Sequence, residues 1–380
     1  MKLIISEEKI NLGRQREFDY AKVIAIVFMV LIHVWEELSY FDCSGVAPTG
    51  FWHNLLQFGA GPLAAPLFMF AMGVGICYSS RRSPKDFAKR GVQLFITGYL
   101  LNIFRNGIYY AIYYWTHGEW DIRELIYQSF NGDILHFAGL TFLLVALLKK
   151  CKMSVLTMGG VAVVMQIVGY LLSQYVPVSE GLSYVVGCFY YAGNCDFPLL
   201  QWFVFPVAGI IFAKYLRHIT DKDKFYRLVI GVSAVLLIGF CSALYFAGYN
   251  IQNFYILKDD IYYQQEFFHS IFAILVILIE LALLYFATKK VSIKAINSTV
   301  NYISARLNTI YIIQWILVGT ATFVAMMAGI DELSAAAAIS LGIAFVILSV
   351  LISRLYDSIK LKKRYSNMFC CKSFGEEDAD

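Results

Sequence analysis

The chain has 380 residues, 59% of them hydrophobic and only 15% charged, with a formal net charge of +4 and a mean hydropathy of +0.62. A soluble globular chain carries about 25% charged residues, so too few polar side chains remain here to coat a water-facing surface. That excludes a soluble enzyme, a disordered chain and a nucleic-acid binder. Eight cysteines are too sparse for a disulfide scaffold. Lipid must be the solvent, and the chain reads as an all-α, multi-pass integral membrane protein.

A bilayer core takes about 20 apolar residues per helix. In chain order this marks ten spans, roughly 20–40, 55–78, 91–115, 133–148, 154–176, 197–216, 227–248, 267–288, 307–328 and 334–355. The first span follows no small-residue cleavage motif, so it reads as an ordinary helix and not a signal peptide. The third contains Asn102, Arg105 and Asn106, which must face protein or water. Basic residues assign the sides: 28 of the 31 Lys and Arg fall in alternate segments, leaving only Arg105, Arg123 and Lys258 on the other side. Ten helices with both termini cytoplasmic give that split. The expected organisation is a cytoplasmic segment over 1–19, one membrane domain over 20–356 and a cytoplasmic tail over 357–380, in the cell (plasma) membrane.

The outer segments 116–132, 177–196 and 249–266 are rich in aromatic and amide side chains. They suit sugar rings, which offer apolar C–H faces and many hydroxyls, and they equally suit an interfacial aromatic belt. Cys188 and Cys195 lie in the second of them, where an oxidising compartment would allow a small loop disulfide.

Ionisable residues within spans are functional-site candidates. His33 lies in the outer half of the first span, with Glu36 and Glu37 at i+3 and i+4 on the same face, placed to orient the imidazole. His53 sits at the outer mouth of span two, Arg105 in the outer third of span three, and Asp133 with His136 at the outer start of span four. Gln201 and Trp202 open span six and His269 opens span eight. Packing roles compete with chemistry at each: His33 as a helix–helix hydrogen bond, Arg105 as the partner of an acid such as Asp133. No histidine or cysteine spacing supports a metal site. On the inner side, residues 79–91 gather Arg81, Arg82, Lys85, Lys89 and Arg90. These suit phosphate oxygens, and the positive-inside rule explains them as well.

The segment REFDYAKVIAIVFMVLIHVWEE (16–37) resembles the first helix of the transmembrane acyltransferase superfamily, which includes the acyltransferase type 3 family and heparan-alpha-glucosaminide N-acetyltransferase-like proteins. That helix shows an Asp, an Arg three residues on, and a His after ten more residues. Here they are Asp19, Lys22 and His33, the lysine keeping charge without bidentate geometry. APLFMFAMGVGICYSSRR (65–82), GDILHFAGLTFLLVALL (132–148) and FPLLQWFVFPVAGIIFAKYL (197–216) are similar to further helices of the superfamily. ARLNTIYIIQWILVG (305–319) is similar to its late helix, with Tyr311 and Gln314 at the polar positions. In the heparan-type branch the catalytic His lies just before helix two, where this chain has His53, so two histidines compete for one role.

The resemblance implies acyl transfer across the membrane. Acyl-CoA, acetyl-CoA above all, would bind from the cytoplasm with its phosphates near Lys22, Arg81, Arg82, Lys89 and Arg90. His33 or His53 would act as general base, Glu36 or Glu37 would orient it, and Arg105 or Gln201 would stabilise the oxyanion. Asp133 and His136 complete the catalytic candidates; Gln201, Trp202, His269 and Gln314 are the candidates for holding the acceptor. The acceptor would be a hydroxyl or amine of an extracytoplasmic carbohydrate or glycolipid. Partners are membrane lipid and that acceptor, with no metal and no nucleic acid, and an oligomer is neither required nor excluded. A secondary transporter or lipid-carrier flippase is the alternative; it would show repeats with broken helices, and none is evident.

Overall fold

The computed structural model describes residues 5–39, 50–80, 83–118, 120–176, 178–257, 259–330 and 332–373. Among these the secondary structure is helical, with three isolated bridges and no strand. The helices are α1 (Arg16–Leu38), α2 (Phe51–Ala60), α3 (Ala65–Tyr78), α4 (Pro84–Asn102), α5 (Ile108–His117), α6 (Ile122–Phe130), α7 (Ile134–Lys150), α8 (Val155–Tyr175), α9 (Glu180–Val186), α10 (Leu199–Trp202), α11 (Val204–Leu216), α12 (Lys222–Phe246), α13 (Asp259–Gln264), α14 (Phe267–Lys290), α15 (Lys294–Ala305), α16 (Leu307–Ala328) and α17 (Ala335–Ser373).

Among the described residues, eight stretches are long and apolar enough to cross a bilayer: α1, α2 with α3, α8, α10 with α11, α12, α14, α16 and α17. The chain is an all-α polytopic membrane protein. The other two expected spans are helical but differ in kind. α7 is 17 residues long, and α4 continues through a π-helical turn, Ile103–Gly107, into α5. That rod carries polar groups at mid-length, and α6 covers them. Asn102 donates to the carbonyl of Asn131 at 2.6 Å, and Asn106 donates to the Gln128 side chain at 2.8 Å. The three polar residues of span three face protein, as lipid demands.

Span two breaks between α2 and α3 because Pro62 and Pro66 remove N–H donors and restrict the residues before them. The segment before α14 covers the break: Tyr262 donates to the Gly61 carbonyl at 3.0 Å, and Gln57 accepts from the Leu257 N–H at 2.7 Å.

Helix α1 is the axis of the bundle. α2, α3, α14, α15, α16 and α17 all pack on it, and Ala21, Ala25, Val30 and Val34 are wholly buried there. Its first turn is tied down through Glu17, which accepts from Lys222 at 2.9 Å and from the Tyr226 hydroxyl at 2.7 Å. α4 and α7 run side by side with Gly91 facing Gly139. A Cβ on either would stand under 3 Å from the other's carbonyl oxygen, so only glycine permits this approach. The same pairing carries Arg105, beyond the end of α4, toward Asp133, at the start of α7.

Candidate active site

Four elements converge on one buried polar cluster: His33 from α1, Arg105 from the π-helical turn, Asp133 from the cap of α7, and Tyr311, Gln314 and Trp315 from α16. The three α16 residues lie at i, i+3 and i+4, which places them on one helical face. Trp315 is the common surface. The His33 ring stacks on it with centroids 3.9 Å apart and planes inclined by 26°. The Arg105 guanidinium carbon is also 3.9 Å from its ring centre, a cation–π contact strengthened by removal from water.

The Nδ1 partner of His33 is the Gln314 side-chain oxygen at 3.3 Å. An amide oxygen only accepts, so Nδ1 carries the proton and Nε2 keeps its lone pair. Gln314 thus occupies the orienting position that the sequence reading gave to Glu36 or Glu37. Glu37 instead helps wall a small cavity of about 10 Å³ beside Arg105, with Asn106, Gln128 and Thr322. Glu36 is half-buried on the same turn of α1.

Asp133 anchors the cluster. Both its oxygens accept from the Tyr311 hydroxyl, at 2.8 and 2.7 Å, and Arg105 Nη1 stands 3.4 Å from Oδ2. Asp133 also caps α7, its side chain accepting from the Ile134 N–H, while its own N–H donates to His136 Nδ1 at 2.9 Å. That reciprocal box fixes His136 as the Nε2–H tautomer. The ring packs against Gly98 and edge-on to Tyr99 at 4.2 Å. His136 therefore serves as part of the cap that places Asp133.

Two local devices position Arg105. The π-turn widens the helix, as such turns often do at functional sites. Gly319, one turn beyond Trp315, lets α16 close on it: a Cβ there would lie 2.0 Å from the Arg105 carbonyl oxygen. The segment after α9 grips the start of α7. Gly132 donates to the Asn194 carbonyl at 3.0 Å and Asp196 N–H donates back to Gly132 at 3.1 Å. Burial pushes the Asp196 carboxyl up to about 7, the Asp133 charge adding to this and Arg105 opposing it. Cys188 and Cys195, in the same segment, are buried free thiols in hydrogen-bonding contact; the disulfide is not formed.

A cavity of about 700 Å³ leads to the cluster. Its walls include Lys22, Arg90 and Arg306, each near the start of α1, α4 or α16, together with Ser79 just past the end of α3. All four helix ends lie at one end of the bundle. The walls then turn apolar, with Met29, Met69, Met72, Phe68, Phe137 and Phe142, and they reach Ile134 and Tyr311 beside Asp133. Along α1 the lining residues are Lys22, Ile26 and Met29; the stripe they begin continues at i+4 to His33.

Of the expected donor-binding residues, Lys22 and Arg90 line this cavity, Lys89 is exposed, and Arg81 and Arg82 lie outside the described residues. Arg306 joins them. His53 is buried on α2 and takes no part in the contacts named above. Gln201 is fully buried against Gly169 of α8, Trp202 donates to the Tyr263 carbonyl at 2.9 Å, and His269 pairs with the Asn253 carbonyl at 3.2 Å while stacking on Phe254. Those three brace other parts of the bundle; only Gln314 of the expected acceptor group is in the cluster. Sequence reasoning passed over Trp315 and Arg306. The signal for Trp315 was present in the 311, 314, 315, 319 spacing.

A family model described as an acyltransferase domain matches residues 15–354. The chain belongs to the acyltransferase type 3 family. Neither a curated protein nor a solved structure matches it. Membership makes the chain a membrane acyltransferase and decides against the transporter alternative. For such an acyltransferase the cluster offers an imidazole with a free lone pair and an arginine at the same aromatic face, and a cavity with a cationic mouth reaches Tyr311 at its edge.

Proposed function

We propose that this acyltransferase moves an acyl group, in the first instance acetyl, from cytoplasmic acyl-CoA to a hydroxyl or amine of an extracytoplasmic sugar or glycolipid. The observation that carries the reading is the cavity-lining stripe of α1, Lys22, Ile26 and Met29, which helical spacing continues one turn on to His33. Those eleven residues rise about 16 Å at 1.5 Å per residue, a distance suited to a slim pantetheine arm with phosphates at one end and a thioester at the other. Lys22, Arg90 and Arg306 hold the phosphates, and the methionine and phenylalanine walls take the arm.

At the cluster, His33 Nε2 removes the proton from the acceptor hydroxyl or amine as its oxygen or nitrogen bonds to the thioester carbon. The carbonyl electron pair moves onto oxygen, and Arg105 stabilises that charge in a site shielded from water. On collapse the carbon–sulfur bond breaks and the CoA thiolate takes the proton back from His33. Tyr311 and Asp133 hold Arg105 in place. In this reading the acceptor approaches from the side of Glu37, Asn106, Gln128 and Thr322, opposite to the donor.

The test is binding and turnover of labelled acetyl-CoA by the purified protein in lipid nanodiscs. Acetyl-CoA should bind and compete with free CoA, and replacing Lys22, Arg90 and Arg306 by Gln should weaken binding together. Unchanged affinity in the triple variant would remove the cavity mouth as the phosphate site.

A further inference from the structure

The Gln314 carboxamide is wholly buried, and only one end of it is spent. Its oxygen faces His33 Nδ1 at 3.3 Å, whereas its nitrogen has no hydrogen-bond partner among the described residues. Arg105 is in a similar condition. Nε and Nη1 are buried without a hydrogen bond, Nη1 standing 3.4 Å from Asp133 in an ion pair. Buried donors are nearly always satisfied in folded proteins, and exceptions call for an explanation. Among the buried polar atoms without a partner, these three come from two elements, α16 and the π-turn, and both flank the Trp315 and His33 stack. The two amide functions of one side chain cannot be set independently, so whatever holds the base also fixes where the free N–H points.

We propose that Gln314 is a catalytic residue: its oxygen holds the Nδ1–H of His33, and its amide N–H donates, beside Arg105, to the oxyanion formed when the acceptor attacks the thioester carbonyl. This rests on the acyl-transfer reading above. In the step, the acceptor proton goes to His33 Nε2, the new bond forms at the carbonyl carbon, and the displaced electron pair resides on an oxygen that receives the Gln314 and Arg105 donors. Collapse expels the thiolate, which takes the proton from His33, and the donors are again unpartnered. Charge appears at the carbonyl oxygen only in the transition state and the intermediate, so donors kept empty in the resting enzyme act where they accelerate the reaction.

The test compares Gln314→Glu with wild type on the alkaline plateau of each pH–rate profile, using acetyl-CoA and the reconstituted protein. Glutamate keeps an oxygen for His33 and removes the N–H. Turnover should fall about 10²–10³-fold, the effect of deleting one oxyanion donor, with KM for acetyl-CoA within a few-fold. A plateau rate within a few-fold of wild type would reduce Gln314 to positioning His33 and overturn the proposal. Should the acidic variant fail to fold, Gln314→Met and Gln314→His serve: the imidazole, which offers an N–H, should recover part of the turnover that methionine loses, and equal rates would overturn it. His33→Ala separates the layers. If that variant stays active the acyl-transfer reading of the cluster fails; if it is inactive while Gln314→Glu is not, only the oxyanion role of Gln314 fails.

Discussion

Tyr311 donates its hydroxyl to both carboxylate oxygens of Asp133, tying the second turn of α16 to the cap of α7 inside the bundle. Asp133 pairs with Arg105 there, so this tyrosine helps set the position of the ion pair beside the base. Tyr311→Phe should leave the pair intact but looser, lowering stability by about 1–3 kcal/mol for the lost charged hydrogen bond. Asp133→Ala should cost about 3–5 kcal/mol, since it strands a buried arginine. Thermal unfolding of the two variants in one detergent checks the order; an alanine variant no less stable than the phenylalanine one would contradict it.

His33 and His53 competed for one role in the sequence. The structure joins His33 to Gln314 and Trp315, one helical turn beyond the cavity-lining Lys22, Ile26 and Met29 of α1. His33→Ala should therefore lower turnover about 10²–10⁴-fold while acetyl-CoA still binds, and His53→Ala should cost far less. The reverse ranking in a turnover assay would move the base to α2 and leave His33 as a packing residue.

Gly319 admits the Arg105 carbonyl where any Cβ would collide. Gly319→Leu should push α16 from the π-turn and shift both Arg105 and Trp315. Misplacement on the order of 1 Å in a reacting constellation costs about 10²-fold in rate, and overpacking adds about 1–3 kcal/mol of destabilisation. Turnover and melting temperature, measured together, should both fall; a fully active Gly319→Leu protein would show that the contact does not position Arg105.

Asp196 gives the grip on the start of α7 a pH dependence. Its carboxyl is pushed from the usual 3.8 up to about 7 by burial, so between those values the folded protein holds a proton that the unfolded chain has lost. Stability from this group is full below about 4, falls as pH rises toward about 7, and is level above. Asp196→Asn stays neutral throughout. The melting temperature of wild type minus that of the variant should therefore decline between pH 4 and 7; a constant difference would mean that the carboxyl is not displaced.

Much of this site was legible before the fold. His33, Arg105 and Asp133 stood out because charge inside an apolar span is costly unless it is used or paired, and Arg105 does pair with Asp133. Lys22 and Arg90 stood out as cations at helix ends, and both line the cavity. Trp315 did not, because an aromatic within an apolar helix is ordinary. Its distinction is the pair of partners, His33 and Arg105, that two distant segments bring to its ring.

The sequence by itself determined the solvent, the place of the long apolar helices and the order of polar groups along them, since each of these follows from composition and period within one segment. The tertiary structure alone decided which polar groups meet. It gave Gln314 the place beside His33 expected of Glu36 or Glu37, turned His136 into a cap through its bond to the Asp133 N–H, and set Gln201, Trp202 and His269 to bracing other helices. The reason is that a helix fixes the spacing of its own side chains but not its rotation against its neighbours. That rotation is set by close approaches such as Gly91 with Gly139 and Gly319 with Arg105, and those depend on residues far apart in the chain.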